Sequence, residues 1–464
     1  MKKTIRHIIQ EDNFLSLTGN VVIAILGITG FAILARSYSL QIFGEWVLFI
    51  TAGSFVEMFR FGITNTGLIR YLSGADETSR IKFIGSNALI SLGVTTIIVM
   101  ILALSNLIFH DTIQNSGFQL FFKWYPILAF LNLPWNNALV VLQADSKFGK
   151  ILALKSINSC CFFIVLTLNF IFFNMTLTEL IWALLIINAI TSIVSILFGW
   201  DGLKYIGSAS TITNNKLLNF GKYTTFTLIG TNLLRSAETL IISLSPLGNE
   251  AVALFSIPLK LTELQQIPLR SFVATAFPKI SKASIQSNLF KVRELFYTYA
   301  GAISYLFVFI SIFTFIFADF FVLVIAGDKF MQTDPVTGFN AADIVRVFSI
   351  YGLLLPIDRM TGITLDSINK PNINALKVLF MVIANVIGDL IAVFIFKSLI
   401  FVAVSSIIFT VIGIWLGMYF LNKELSLQYK EIFSSGIKFY KSIISKLKKP
   451  ESNESIKAYP NFDK

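Results

Sequence analysis

Charged residues inside otherwise apolar stretches are the groups of this sequence best suited to chemistry: Glu57 with Arg60, Arg235 with Glu238, Lys260 with Glu263, Asp358 with Arg359, and the single charges Arg346 and Asp389. Each costs about 2.5–3.5 kcal/mol at the centre of a membrane helix on insertion scales, so such residues should face a bundle interior or a water-filled cavity. In the first three pairs, acid and base stand three residues apart, which puts both on one helix face. Self-neutralisation that merely helps a helix insert is a sufficient account of Glu57/Arg60 and Lys260/Glu263. It is weaker for Arg235, because a rise of 1.5 Å per residue from residue 223 places it about 18 Å along its helix, too deep to snorkel to water. Lys260 reaches a similar depth from the opposite side. If both helices line a cavity, the two cations share a layer there and could hold an anion.

Other chemistries have little support. Nucleotide-binding, zinc-protease and nucleophile-elbow patterns are absent, and the histidines are limited to His7 and His110, which disfavours an ATP-driven pump and a metalloenzyme. Cys160 and Cys161 are adjacent and in mid-span, a packing position with neither a disulfide framework nor metal-ligand spacing.

Positioning these groups falls to membrane helices. A composition of 55% hydrophobic and 14% charged residues over 464 residues suits an all-α integral membrane protein, since about 20 apolar residues cross a bilayer core as a helix. Twelve spans are expected, near 14–35, 42–64, 83–109, 118–142, 151–173, 180–200, 223–244, 251–277, 297–317, 345–365, 375–395 and 399–421. Lys and Arg gather at the N-terminus, at Arg70–Lys82, Lys147–Lys150, Lys204–Lys222 and Lys279–Arg293, at Lys370 and in the tail, whereas the alternate loops offer Arg36, Lys123, Lys329, Lys397 and little more. Basic loops stay in the cytoplasm, so both termini are expected there. This asymmetry accounts for the net charge of +11 without nucleic acid as a partner. The first apolar run is too long for a signal-peptide core and is read as a retained helix.

No connecting loop is long enough for a globular domain, and the largest outer one lies at 318–341. Catalysis would therefore rest on the helices themselves. Glycines and prolines (Gly27, Gly30, Pro126, Pro134, Pro258, Pro268, Pro356) mark places where helices can break against a cavity. Beyond residue 422, apolar residues recur at helical intervals among lysines, as expected of an amphipathic segment on anionic membrane lipids, and residues 449–464 read as disordered.

Leu142–Lys150 after the fourth span is echoed by Leu365–Asn372 after the tenth, and Phe43–Val47 by Leu247–Val252. Two six-helix lobes around a central cleft are expected from such a parallel repeat: 1–202 and 223–421, with a linker at 203–222 and a basic tail at 422–464. In the same order along the chain, Ala35-Arg36 with Phe43-Gly44-Glu45-Trp46, Phe61-Gly62-Ile63 with Gly67-Leu68-Ile69-Arg70, Leu142-Gln143-Ala144, Phe220-Gly221-Lys222-Tyr223, Ala276-Phe277-Pro278-Lys279-Ile280-Ser281 and Leu365-Asp366-Ser367 before Lys370-Pro371 resemble the Wzx-type polysaccharide-unit flippases. That family sits in the MATE-like superfamily with multidrug and toxin exporters and peptidoglycan-lipid flippases.

The resemblance implies a bacterial inner-membrane protein that moves an undecaprenyl-pyrophosphate-linked oligosaccharide from the cytoplasmic to the outer face for O-antigen or capsule assembly, beside a polysaccharide polymerase and a chain-length regulator. It implies no catalytic residue and no cofactor, with proton or sodium coupling. Onto its roles fall Arg60, Arg235, Lys260, Arg346 and Arg359 as cations for the pyrophosphate, and Glu57, Glu238 and Asp389 as ion-coupling groups. Glu238 stands where relatives often carry Asp, a change that keeps the charge. A multidrug exporter on the same scaffold is the alternative, but Arg235 and Lys260 would repel a cationic drug. A membrane polymerase or ligase is a third reading, opposed by the short outer loops.

Overall fold

The computed structural model describes residues 12–72, 75–145, 147–332 and 339–448. Residues 449–464, read above as disordered, lie outside that set, as do the N-terminal basic residues. Among the described residues the elements are all helical: α1 (Asp12–Ser37), α2 (Leu40–Gly62), α3 (Asn65–Leu72), α4 (Glu77–Ile108), α5 (His110–Gln114), α6 (Gln119–Leu131), α7 (Leu133–Ala144), α8 (Phe148–Ile171), α9 (Leu177–Leu197), α10 (Thr211–Ser243), α11 (Gly248–Ile285), α12 (Leu289–Ile316), α13 (Ala318–Ala326), α14 (Ala341–Ser367), α15 (Pro371–Leu390), α16 (Leu399–Leu425) and α17 (Tyr429–Lys448). Short 3-10 turns occupy Leu203–Ser208 and Asp328–Met331, and a π-turn at Ile391–Ile395 extends α15.

Polar side chains set the helix starts. Ser39, Asp76, Thr176 and Ser210 each accept a hydrogen bond from a backbone N–H of the first turn of α2, α4, α9 and α10, satisfying donors that have no partner within the helix. Each expected span coincides with a helix or, for the fourth, with the pair α6 and α7. Among the described residues seven helices, including α4, α9 and α16, are long and apolar enough to cross a membrane, and α6 with α7, bent by 48°, pass the same test as a pair. Three of the remaining expected spans, α10, α11 and α14, carry internal charges, which lower their apolarity. Large side chains such as Leu104, Leu107 and Phe172 are exposed, as suits residues that face acyl chains.

The chain forms two compact units, one of Met1–Leu261, Ile316–Phe348 and Val378–Phe409, the other of Thr262–Phe315, Ser349–Lys377 and Thr410–Lys464. In the first, Leu68, Leu72, Phe83, Ile84 and Leu217 form one apolar cluster. Two helix ends in this unit cap each other. The Arg36 guanidinium at the end of α1 donates to the carbonyls of Leu323 at 2.9 Å and Val324 at 2.5 Å in the last turn of α13. Lys329, just beyond α13, donates to the carbonyls of Tyr38 and, at 3.4 Å, Arg36. Cations suit helix C-termini because unpaired carbonyls and the dipole both present negative charge there. Beside this clamp, α2 meets the start of α11 so closely that a Cβ on Gly44 would stand 1.9 Å from the Asn249 carbonyl oxygen.

In the second unit, α12, α14, α16 and α17 contribute to a core that includes Phe296, Phe307, Leu355, Met360, Leu421 and Ile432. It contains a buried ion pair that sequence spacing does not predict: Lys377 Nζ lies 2.6 Å from Asp358 Oδ1 and also donates to the Asp358 carbonyl at 2.8 Å and to Thr361 Oγ1 at 3.2 Å.

Candidate functional site

Among the described residues, two clusters built on buried ionisable side chains, Arg60 in one and Glu238 with Asp389 in the other, lie inside the first unit. The first is built around a break in a span. Pro134 sits in the first turn of α7 and has no N–H to continue the ladder from α6, so carbonyls near the break need other donors. Arg60 on α2 supplies them. Its Nη2 donates to the Ala129 carbonyl at 2.5 Å, Nη1 to Asn132 Oδ1 at 3.0 Å and to Glu57 Oε1 at 2.5 Å, and Nε to Thr95 Oγ1 at 3.1 Å. Glu57 Oε1 also accepts from the Tyr125 hydroxyl at 2.7 Å and from Asn132 Nδ2 at 3.1 Å. The next orphan carbonyl, Leu131, accepts from Ser192 Oγ at 2.5 Å. Arg60 is 1% exposed, and the Phe61 ring lies 4.8 Å from its guanidinium carbon. Buried ions persist only where hydrogen bonds satisfy them, and here charge and geometry are both matched.

The second cluster joins α10, α15 and α16 and consists of oxygen-rich side chains. Glu238 is 3% exposed, and Asp389 and Asn385 are 0% exposed. Ser406 Oγ donates to Glu238 Oε1 at 2.6 Å, Ser405 Oγ to Asp389 Oδ1, and Asn385 Nδ2 to Asp389 Oδ2 at 3.0 Å. Asn385, one turn before Asp389, is also within hydrogen-bonding reach of Glu238. Its Oδ1 is buried without a partner. Two carboxylates are thus withdrawn from water with hydroxyl and amide donors as their described partners. Such a pair is stable in the interior only when a proton or a bound cation offsets its charge. Carboxylate, hydroxyl and amide oxygens suit a hard cation, and the orphaned Asn385 Oδ1 is an acceptor with nothing to bind. Among the described residues no three His, Cys, Asp or Glu side chains form a transition-metal cluster.

The other sequence-predicted residues are dispersed. Arg235 lies on α10, one turn before Glu238, with its side chain outside the described residues. Lys260 is half-buried, its ammonium 5.8 Å from the centroid of the Phe31 ring, and Glu263 is exposed. Arg346 is ion-paired to Asp319 and, at 2.7 Å, to Asp343. Arg359 is exposed, and its neighbour Asp358 pairs with Lys377. The structure brings together Glu57 with Arg60 and Glu238 with Asp389. Missed in the sequence were Asn385, Ser405 and Ser406, although an amide four residues before an acid within an apolar span is a legible signal. Asn132 before Leu-Pro is another.

Comparison with known proteins agrees with this architecture. Residues 9–284 match the model of the family described as polysaccharide biosynthesis protein. A putative O-antigen transporter of Shigella flexneri is 23% identical over 281 residues, covering 58% of this chain and 66% of that protein, so the chain spans just under two thirds of that relative. Among solved structures, the lipid II flippase MurJ in an inward closed conformation aligns with a TM-score of 0.69 at 14% identity, over 95% of this chain and 94% of that one. An inward-facing multidrug resistance MATE family transporter of the MOP superfamily aligns with a TM-score of 0.70 at 15% identity, over 88% of this chain and 98% of that one. The model match spans more than half of the 464 residues, and the chain is therefore a multi-pass membrane protein of the polysaccharide biosynthesis protein family, built on the all-helical fold that MurJ and the MATE transporters share.

Proposed function

We propose that this protein is a secondary transporter that flips an undecaprenyl-pyrophosphate-linked oligosaccharide repeat unit from the cytoplasmic to the outer face of the bacterial inner membrane by alternating access. In this reading both termini are cytoplasmic and the product feeds O-antigen or capsule assembly, where a polymerase and a chain-length regulator act on it. The observation that carries ion-driven transport is the buried Glu238–Asp389 pair beside the orphaned Asn385 oxygen.

A pyrophosphate cannot cross the apolar core unaided, because an unpaired charge there costs many kcal/mol. A cationic surface that shields the headgroup while the isoprenoid stays in lipid removes the barrier. Arg235 and Lys260 are assigned to that surface. Arg60, committed to Glu57, Asn132 and the Ala129 carbonyl, is assigned to holding the broken helix in shape. Entry of Na+ or H+ at Glu238 and Asp389 supplies the driving force. Outward movement of an anion gains a further ~2.3 kcal/mol per charge per 100 mV of inside-negative potential.

The test is the sidedness of the isoprenoid-linked oligosaccharide in cells depleted of the protein, read with an impermeant glycosidase. Accumulation confined to the cytoplasmic face is expected, with rescue by wild type but not by Arg235→Ala at equal protein level. Normal sidedness on depletion would overturn the reading. The MATE fold and the paired carboxylates also fit export of organic cations, and unchanged sensitivity of depleted cells to cationic dyes would exclude that alternative.

A further inference from the structure

The tail helix α17 presents three faces, each with different neighbours. One packs on α12: Ile432 is buried, the Tyr440 hydroxyl donates to the Ala302 carbonyl at 2.8 Å, and a Cβ on Gly301 would stand 1.9 Å from the Ile432 carbonyl oxygen. A second carries Tyr429, Phe433 and Ile437 at successive turns, 55%, 52% and 44% exposed. The third is polar and lines a groove of about 500 Å³ against α12. Glu431, Ser435 and Lys438 on α17 face Arg293, Glu294 and Thr298 on α12 across it.

Aromatic and aliphatic side chains exposed in a row beside lysines are the pattern of a helix lying in the membrane interface, so the exposed face meets acyl chains and the groove opens at headgroup level. Its charges are of both signs. Lys438 makes no ion pair among the described residues, and Arg293 has long contacts of 3.4 Å to the carbonyls of Leu425 and Ser426 with its guanidinium carbon 5.5 Å from the centroid of the Phe290 ring, so neither cation has a carboxylate partner there. Glu431 accepts one hydrogen bond, from Ser434 at 2.8 Å, and Glu294 is paired with Lys291. A purely anionic headgroup would gain from the cations but would be repelled by the two carboxylates. A headgroup with a phosphate and an ammonium matches both signs.

We infer that the α12–α17 groove binds the headgroup of a zwitterionic phospholipid with a primary amine, a phosphatidylethanolamine, in the leaflet that faces the basic loops. Its phosphate lies against Arg293 and Lys438, and its ammonium donates to Glu431. A choline headgroup carries the same charge but no N–H to donate, and a glycerol headgroup carries no cation.

The test is native mass spectrometry of the full-length protein in detergent with equimolar dioleoyl phosphatidylethanolamine, phosphatidylcholine and phosphatidylglycerol. Retention of phosphatidylethanolamine about threefold or more above the other two is expected, the scale of an exposed ion pair. Glu431→Gln should erase its advantage over phosphatidylcholine, and Lys438→Gln should lower retention of all three. Equal retention in the wild type overturns the inference. So does a preference for phosphatidylglycerol, which would mark a generic basic surface, and so does displacement of bound phosphatidylethanolamine by an equimolar addition of free O-phosphoethanolamine, which would mark a soluble phosphoamine rather than the lipid.

Discussion

Arg60 and the Glu238–Asp389 pair are buried to the same degree within one unit, yet they are held in opposite ways. The guanidinium has a carboxylate for its charge and an acceptor on each nitrogen. The two carboxylates have neutral donors as described partners, and an amide oxygen beside them has none. A fully partnered buried ion holds a shape, because any movement leaves a charge unpaired. An incompletely partnered pair holds a place for something that comes and goes. Burial of charge alone therefore does not distinguish scaffold from working site, whereas the count of partners does.

The sharpest way to break this comparison is to measure stability and transport for both clusters. Arg60→Leu leaves Glu57 without its cation and the Ala129 carbonyl without its guanidinium donor, and removal of one partner of a buried pair costs about 3–5 kcal/mol. Thermal unfolding of the purified protein in detergent should show that loss. Asp389→Asn removes a charge that no described cation balances, so its melting temperature should stay the same or rise. A stable Arg60→Leu protein with a strongly destabilised Asp389→Asn would reverse the assignment.

Transport gives the converse. One monovalent cation moving down 100 mV contributes ~2.3 kcal/mol, about fiftyfold in the distribution of the cargo. In proteoliposomes with an imposed Na+ or pH gradient, Glu238→Gln and Asp389→Asn should each abolish that ion-driven component. Retention of full ion dependence by both variants would show that the pair is not the coupling site.

A smaller effect is expected from the clamp between α1 and α13. Arg36 is exposed, and a cation at a helix C-terminus is worth ~0.3–1 kcal/mol. Arg36→Ala and Lys329→Ala should each cost that much. Because the two caps support the same contact, the double variant should cost less than the sum, and strict additivity would show that they act independently.

Helices and their order were legible because apolar runs of membrane length leave few alternatives. Glu238 stands out in the sequence as a charge three residues from Arg235 within an apolar span, but nothing in the sequence pairs it with Asp389, which lies far away along the chain and meets it only through packing of α10, α15 and α16. Spacing predicted Glu57–Arg60 because helix geometry fixes neighbours three residues apart. It gave no warning that Asp358 would turn to Lys377 on another helix, leaving Arg359 exposed. Local geometry was readable, and tertiary choice among partners was not. The same limit applies to Arg346, whose partner Asp343 is a local neighbour while Asp319 comes from α13.

The least effect is expected at the membrane surface, where an ion cluster joins α4 to the end of α7. Asp145 binds Arg80 and, at 2.7 Å, Lys147. Partial burial pushes its carboxyl up, but hydrogen bonds and charge from Lys147 and Arg80 outweigh that and hold it below the usual carboxylate range. A carboxyl depressed in the folded state contributes stability that is fully present above its unfolded value near ~3.9 and is lost as pH falls through the folded one. Asp145→Asn should therefore cost up to ~1 kcal/mol at neutral pH, the ceiling for an exposed pair. The gap between variant and wild type should close as pH drops below about 4. A gap that persists unchanged as pH falls well below about 4 would mean that Asp145 acts through its shape rather than its charge, the reverse of what the paired cations imply.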